Sequence, residues 1–154
     1  AGTATIGATG TPLPPPAASD ALAAEDAALF CIGAHMAGLP LNPALTARGG
    51  RFLRAAATRP EYRLFDLGTR PGLLRAPGAG AAIAGEVWAL PTAAIGALLA
   101  EVPPPLGFGT VALQDGPCLG FLAEPAGLAA APEITGLGSW RAHLAARGPH
   151  GEHP

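Results

Sequence analysis

Residues 81–105, "AAIAGEVWALPTAAIGALLAEVPPP", hold the two elements whose order decides the fold. Residues 81–90 carry Ile83, Val87 and Trp88, β-branched and aromatic side chains that suit a half-buried pleated surface, and form the strongest strand signal in the chain. Pro91 stands where a helix begins, and residues 92–101 continue it with Ile95, Leu98 and Leu99 expected on one face. Pro103, Pro104 and Pro105 end it, because proline lacks the N–H a helix needs. A strand running straight into a helix is common to many folds. The neighbouring segments make it decisive.

On the N-terminal side, "LFCIG" (29–33) reads as a short buried strand, "EYRLFDL" (61–67) and "GLLR" (72–75) as two more. "ALTARGGRFLRAAA" (44–57) reads as helical, weakened at Gly49-Gly50. On the C-terminal side, "GFGTVALQDGPCLGFLAEP" (107–125) reads as a hairpin with Asp115-Gly116 as its two-residue turn. "GSWRAHLAARG" (138–148) reads as a closing helix, capped by Ser139 and ended by Gly148. Many short strands around one intervening helix predict an α+β domain on a mixed or closing sheet. Regular strand–helix alternation is missing, which argues against a doubly wound fold.

The 154 residues suit one domain with flexible ends. Residues 1–27 are small, Gly-rich and broken by proline, and read as a linker. Residues 28–147 read as the folded part, and 148–154 as a frayed tail holding His150 and His153. Because the chain starts on Ala1, it is expected to be part of something longer. Its basic residues are all Arg, and Ser19 and Ser139 are its only serines, which removes Schiff-base chemistry and leaves serine catalysis little to work with. A net charge of −2 with 5% aromatics argues against nucleic acid. No apolar run approaches the ~18 residues of a membrane span. Cys31 and Cys118 read as buried free thiols of a cytoplasmic protein. No CxxC or HExxH spacing occurs, so neither a metal nor a cofactor is expected.

The chemistry then narrows to "CIGAHMAGLPLN", residues 31–42. Gly33 and Gly38 flank His35, letting the backbone approach a ligand closely beside the one side chain that titrates near neutral pH. Asn42 follows the loop and is placed to hold its backbone. Tyr62 either closes a pocket with its hydroxyl or packs. Glu86 shares a strand face with Trp88, so a buried Trp88 requires Glu86 to be partnered or in a pocket. Gly107 and Gly109 around Phe108 suggest a barrel corner or a ligand wall.

In this order, "LFCIGAHMAGLPLN", "PEYRLFDL", "RPGLLR", "GEVWALP", "PPPLGFGTVAL" and "GFLAEP…ITGLGSWRAHL" resemble the C-terminal domain of allophanate hydrolases, over about residues 28–145. The resemblance implies a γ-glutamylcyclotransferase-like fold, a small mixed β-barrel with flanking helices. Its glycine loop, here Gly33-Ala34-His35-Met36, would form the floor of an anion-binding pocket. The implied activity is the second step of urea breakdown by a two-step hydrolase. An amidase domain releases ammonia from allophanate, and this domain carries the product, N-carboxycarbamate, to ammonia and carbon dioxide, with His35 as acid/base. That substrate has two carboxylates, for which Arg70 and Arg75, flanking "PGLL", are candidate partners. Relatives commonly have Lys where Arg70 stands, so charge is kept and geometry changes. The expected partners are this small anionic substrate, the amidase domain, and a second copy in a homo-oligomer. One alternative is a non-catalytic oligomerisation module of the amidase. Another is a cyclotransferase, which the segment "LLAEVPPP" disfavours because Glu101 stands out of register for a catalytic glutamate.

Overall fold

A computed structural model of the protein describes residues 22–148. Strand β1 (Asp26–Cys31) lies at the centre of a five-stranded sheet, and its sequence explains why. Leu29 and Cys31 point to one face and Phe30 and Ile32 to the other, and all four are buried. A strand covered on both sides reads as one continuous apolar run, as "LFCI" does. The remaining strands of this sheet are β2 (Arg51–Ala57), β5 (Ala84–Pro91), β6 (Leu106–Leu113) and β7 (Gly116–Ala123). Between β2 and β5 in the chain come β3 (Tyr62–Asp66) and β4 (Pro71–Arg75), which form a separate two-stranded ribbon. The sheet order is β2-β5-β1-β7-β6. β1 runs antiparallel to β5 but parallel to β7, which makes the sheet mixed.

One face of the sheet packs Phe30, Val87 and Val111 against Tyr62, Leu64 and Leu73 of the ribbon. The other packs Leu29, Trp88 and Phe121 against Met36, Leu45, Leu98 and Trp140. Leu45 belongs to α1 (Asn42–Thr46), Leu98 to α2 (Thr92–Ala100) and Trp140 to α3 (Trp140–Arg147). Burying each such side chain contributes about 1.5–3 kcal/mol.

The expected barrel does not close. The edge strands β2 and β6 meet at one corner, through a bridge between Thr58 and Leu113 and bonds from Arg59 N–H to the Ala112 carbonyl and Gln114 N–H to the Ala57 carbonyl. No β2–β6 ladder extends beyond that corner among the described residues.

Several local expectations change. The helix expected over 44–57 is a five-residue α1 followed by β2. Gly49, at φ +86°, reverses the chain between them, and "RFLRAAA" pairs with β5 across six register positions. Sheet pairing there outweighs the helical preference of its alanines. The strand begins at Asp26, inside the segment read as linker; the rest of that segment before Leu22, and the tail after Gly148, lie outside the described residues. Leu98 is fully buried but Leu99 is 42% exposed, so α2 packs on the core through Leu98 and the partly buried Ile95, followed by Val102 just past its end. The hairpin turn is Gln114-Asp115, since Gly116 already pairs with Leu113. The bond from Gln114 N–H to β2 and the Arg54–Asp115 ion pair at 3.1 Å fix that register. Ser139 caps α3 as expected, accepting from Ala142 N–H at 3.0 Å.

Candidate active site

Where β1 ends, the chain enters the loop 33–41 and turns back over the sheet. Four backbone bonds shape it: Met36 N–H to the Gly33 carbonyl, Leu39 to Met36, Leu41 to Ala34 and Asn42 to Leu39. Asn42 Nδ2 donates to the His35 carbonyl at 2.8 Å, the backbone-holding position expected of it. Gly33 is required by its neighbour. A Cβ there would come 2.4 Å from Cδ of Pro71, so the start of β4 packs directly on the loop backbone.

That contact brings Arg70, the residue before Pro71, to the imidazole of His35. A cleft opens between them, lined by Gly33, Ala34, His35, Arg70, Pro71 and Phe121 among others. Its empty volume, open mouth included, is about 330 Å³. Outward, the cleft continues into a hollow lined by His35, Leu41, Ala44, Arg70, Glu101 and Val102.

His35 lies parallel to the ring of Phe121, centroids 5.0 Å apart and planes 9° apart, and Phe108 braces Phe121 edge-on at 4.9 Å. Burial, then the positive charge of Arg70, lower its pKa from 6.5 to about 4, with Glu101 opposing and Arg48 adding to the effect. The imidazole is therefore neutral at pH 7 in the free protein.

Among the described residues, the Arg70 guanidinium has no carboxylate partner, and no group accepts a hydrogen bond from the N–H of Gly33, Ala34 or His35. Ala34 is 5% exposed, so at least one of these donors is buried without an acceptor. Buried N–H groups are almost always paired. Gly33, Ala34 and His35 line the cleft together with Arg70, and free N–H groups beside an unpaired guanidinium are chemically able to bind an oxyanion.

The cleft thus joins Gly33, Ala34, His35 and Arg70 of the expected residues, with Asn42 holding the loop. The others lie elsewhere. Met36 is core under the loop. Tyr62 is 1% exposed, its hydroxyl accepting from Ala112 N–H at 2.8 Å inside the core. Arg75 pairs with Glu61 at 2.9 Å on the surface. Gly107 lies on β6 with open space where a Cβ would be, while its neighbour Leu106 lines the cleft. Glu86 stands behind the loop, partnered as its face-sharing with a buried Trp88 required.

Sequence reading missed Phe121, Arg48 and Arg141. Glu101, read as out of register, reaches the outer hollow and is ion-paired with Arg48. A pairing between residues 53 positions apart leaves no trace in the sequence. The other described histidine, His143, meets Asp66 at 2.8 Å beside Trp140 and lines none of these cavities.

Residues 27–145 match the family described as Allophanate hydrolase C-terminal domain. Urea amidolyase of Saccharomyces cerevisiae is 35% identical over 125 residues, 75% of this chain and 7% of that protein. The chain therefore spans a small fraction of the curated relatives it matches. A Kluyveromyces lactis allophanate hydrolase structure superimposes with a TM-score of 0.74 at 32% identity, over 78% of this chain and 21% of that one. The structure of c4763, a uropathogenic E. coli-specific protein, gives 0.75 at 38% identity, over 78% of this chain and 96% of that one. The fold is γ-glutamylcyclotransferase-like, and structures under 25% identical share it as fold alone.

Proposed function

This chain belongs to the allophanate hydrolase C-terminal domain family, and on that premise we propose that its cleft binds N-carboxycarbamate and promotes its breakdown to ammonia and carbon dioxide. The observation that supports this most is the conjunction, in one cleft, of an unpaired Arg70 with the free N–H groups of Gly33, Ala34 and His35. One carboxylate of the dianion takes the N–H row and the other takes Arg70. The arriving negative charge offsets the influence of Arg70 on His35 and favours the imidazolium. In the step so assembled, the C–N bond of one carboxylate breaks, CO2 leaves, and the bridging nitrogen takes a proton from His35, leaving carbamate. Carbamate then takes a further proton and divides into ammonia and CO2. Met36, Tyr62, Arg75, Glu86 and Gly107 have no contact role in this reading.

The domain works beside an amidase that supplies the substrate, in the cytoplasm, as part of urea degradation. No helix among the described residues is long and apolar enough to cross a membrane. Supplying allophanate through a separate amidase and following ammonia and CO2 release tests the proposal. His35→Ala is expected to leave the second step at its uncatalysed rate. Equal acceleration by wild type and His35→Ala would overturn it.

One observation favours a second reading, the non-catalytic module that orders an amidase or a second copy. Phe52, 40% exposed, lies on the edge strand β2 against Trp88, with ring centroids 5.9 Å apart. Light scattering of an amidase fusion with and without this domain separates the two. Lost assembly with intact turnover supports the module, and intact assembly with lost turnover supports the enzyme.

A further inference from the structure

Behind the loop, a partly exposed polar arrangement around the Glu86 carboxylate serves no step described so far. The Ala37 peptide, two residues past His35, is held at both ends. Its N–H donates to Glu86 Oε1 at 2.8 Å, and its carbonyl accepts from Arg141 Nη2 at 2.7 Å. Arg141 Nη2 also reaches Glu86 Oε2 at 3.0 Å, and Trp88 Nε1 donates to Glu86 Oε1 at 3.0 Å. The Glu86 side chain is only 13% exposed. Burial opposes its charge, but the bonds from Ala37, Trp88 and Arg141 outweigh burial and hold its carboxyl below the usual range. The charge is thus kept in a half-buried place by three donors, one of them the loop itself.

We propose that Glu86 and Arg141 are positioning residues for the cleft, holding the Ala37 peptide so that His35 and the N–H groups of Gly33, Ala34 and His35 keep their aim at a bound carboxylate. The inference rests on the anion-binding reading above. It differs from simple loop stability in what it fixes. The loop's internal bonds and Asn42 maintain its curl, but they tie loop to loop or to α1. Glu86 and Arg141 tie it to β5 and α3, elements anchored by Trp88 and Trp140 in the core. Together with Pro71 packed on Gly33 and Met36 in the core, they help set where the curl stands relative to Arg70, the residue just before β4. A loop free to move about 1 Å would still be folded, but its donors would no longer converge with the guanidinium, a displacement that costs on the order of 100-fold where geometry matters.

The test uses the 154-residue chain and malonate, in which a methylene replaces the bridging nitrogen of N-carboxycarbamate. Arg141→Ala is the principal variant, because that side chain is 46% exposed and its removal leaves the core intact. Glu86→Gln keeps acceptors for Ala37 and Trp88 while removing the charge that holds Arg141. Expected are little change in melting temperature and malonate affinity weakened about tenfold in Arg141→Ala. Partial recovery is expected in Arg141→Lys. A ligand-free readout runs in parallel by NMR: the His35 ring of Arg141→Ala titrates at higher pH than in wild type, as the loosened loop admits water. Affinity within about twofold of wild type together with an unchanged His35 titration overturns the positioning role. The anion reading fails separately, if malonate does not bind wild type or binds Arg70→Ala equally well; the His35 titration then still decides the positioning role.

Discussion

Arg70 and Arg75 stand at the two ends of β4 and have opposite surroundings. At the far end, Arg75 lies across the ribbon from Tyr62 and pairs with Glu61, its side chain 59% exposed. Just before the near end, Pro71 presses on Gly33, and Arg70 shares a cleft with His35 with no carboxylate paired to it among the described residues. An arginine already neutralised in water has little left to give a ligand, whereas an unneutralised one in a cleft has nearly all of it. Position decides which guanidinium is already paired, because the residue type is the same.

The comparison predicts a graded set of effects. Arg70→Ala should weaken malonate binding about 10- to 100-fold, the value of a charge-assisted hydrogen bond, with melting temperature little changed. Calorimetric titration measures it, and undiminished affinity would remove the distinction between the two ends of β4. Gly33→Ala should cost about 1–3 kcal/mol of folding stability, because its Cβ meets the rigid ring of Pro71 rather than a flexible side chain. Urea unfolding reads that loss, and the near end of β4 should be displaced with it.

A smaller effect comes from pH. His35 is held at about 4 in the folded state against 6.5 ordinarily, so the unfolded chain binds more protons between these values. The associated stability is present above about 6.5 and is lost as pH falls through about 4. His35→Gln should flatten the melting temperature between pH 6.5 and 4.5. Glu133, held at about 2 by Arg63 and Thr135, has its associated stability in full above its usual 4.5 and loses it only as pH falls towards 2, outside that window. Smallest of all, Arg75→Ala should change stability by no more than about 0.5 kcal/mol and leave malonate affinity alone. A tenfold loss of affinity there would make the two ends of β4 alike.

Much of this was legible beforehand. The doubly apolar β1, the strand–helix junction at Pro91, the proline stop and the Ser139 cap all follow from local rules that act over a few residues. His35 was visible for the same reason, since a histidine between glycines at a strand exit is a local pattern. What local pattern could not do was choose between Arg70 and Arg75, or set Glu86 behind the loop and not in the cleft. Those outcomes depend on partners 14, 49 and 55 positions away: Glu61 for Arg75, and Ala37 and Arg141 for Glu86. The failure at 44–57 has the same origin, because β2 exists only where β5 is present to pair with it.

By itself, then, the sequence determined the class of fold, the buried strand β1, the ends of α2 and α3 and the loop on which the proposed chemistry rests. These depend on burial periodicity and backbone allowances that each segment holds alone. Tertiary structure alone decided that the sheet stops short of closing, which arginine is left unpaired and what holds the loop in place. Each of those depends on where distant charges and strand edges come to rest, and a charge counts only by what stands beside it.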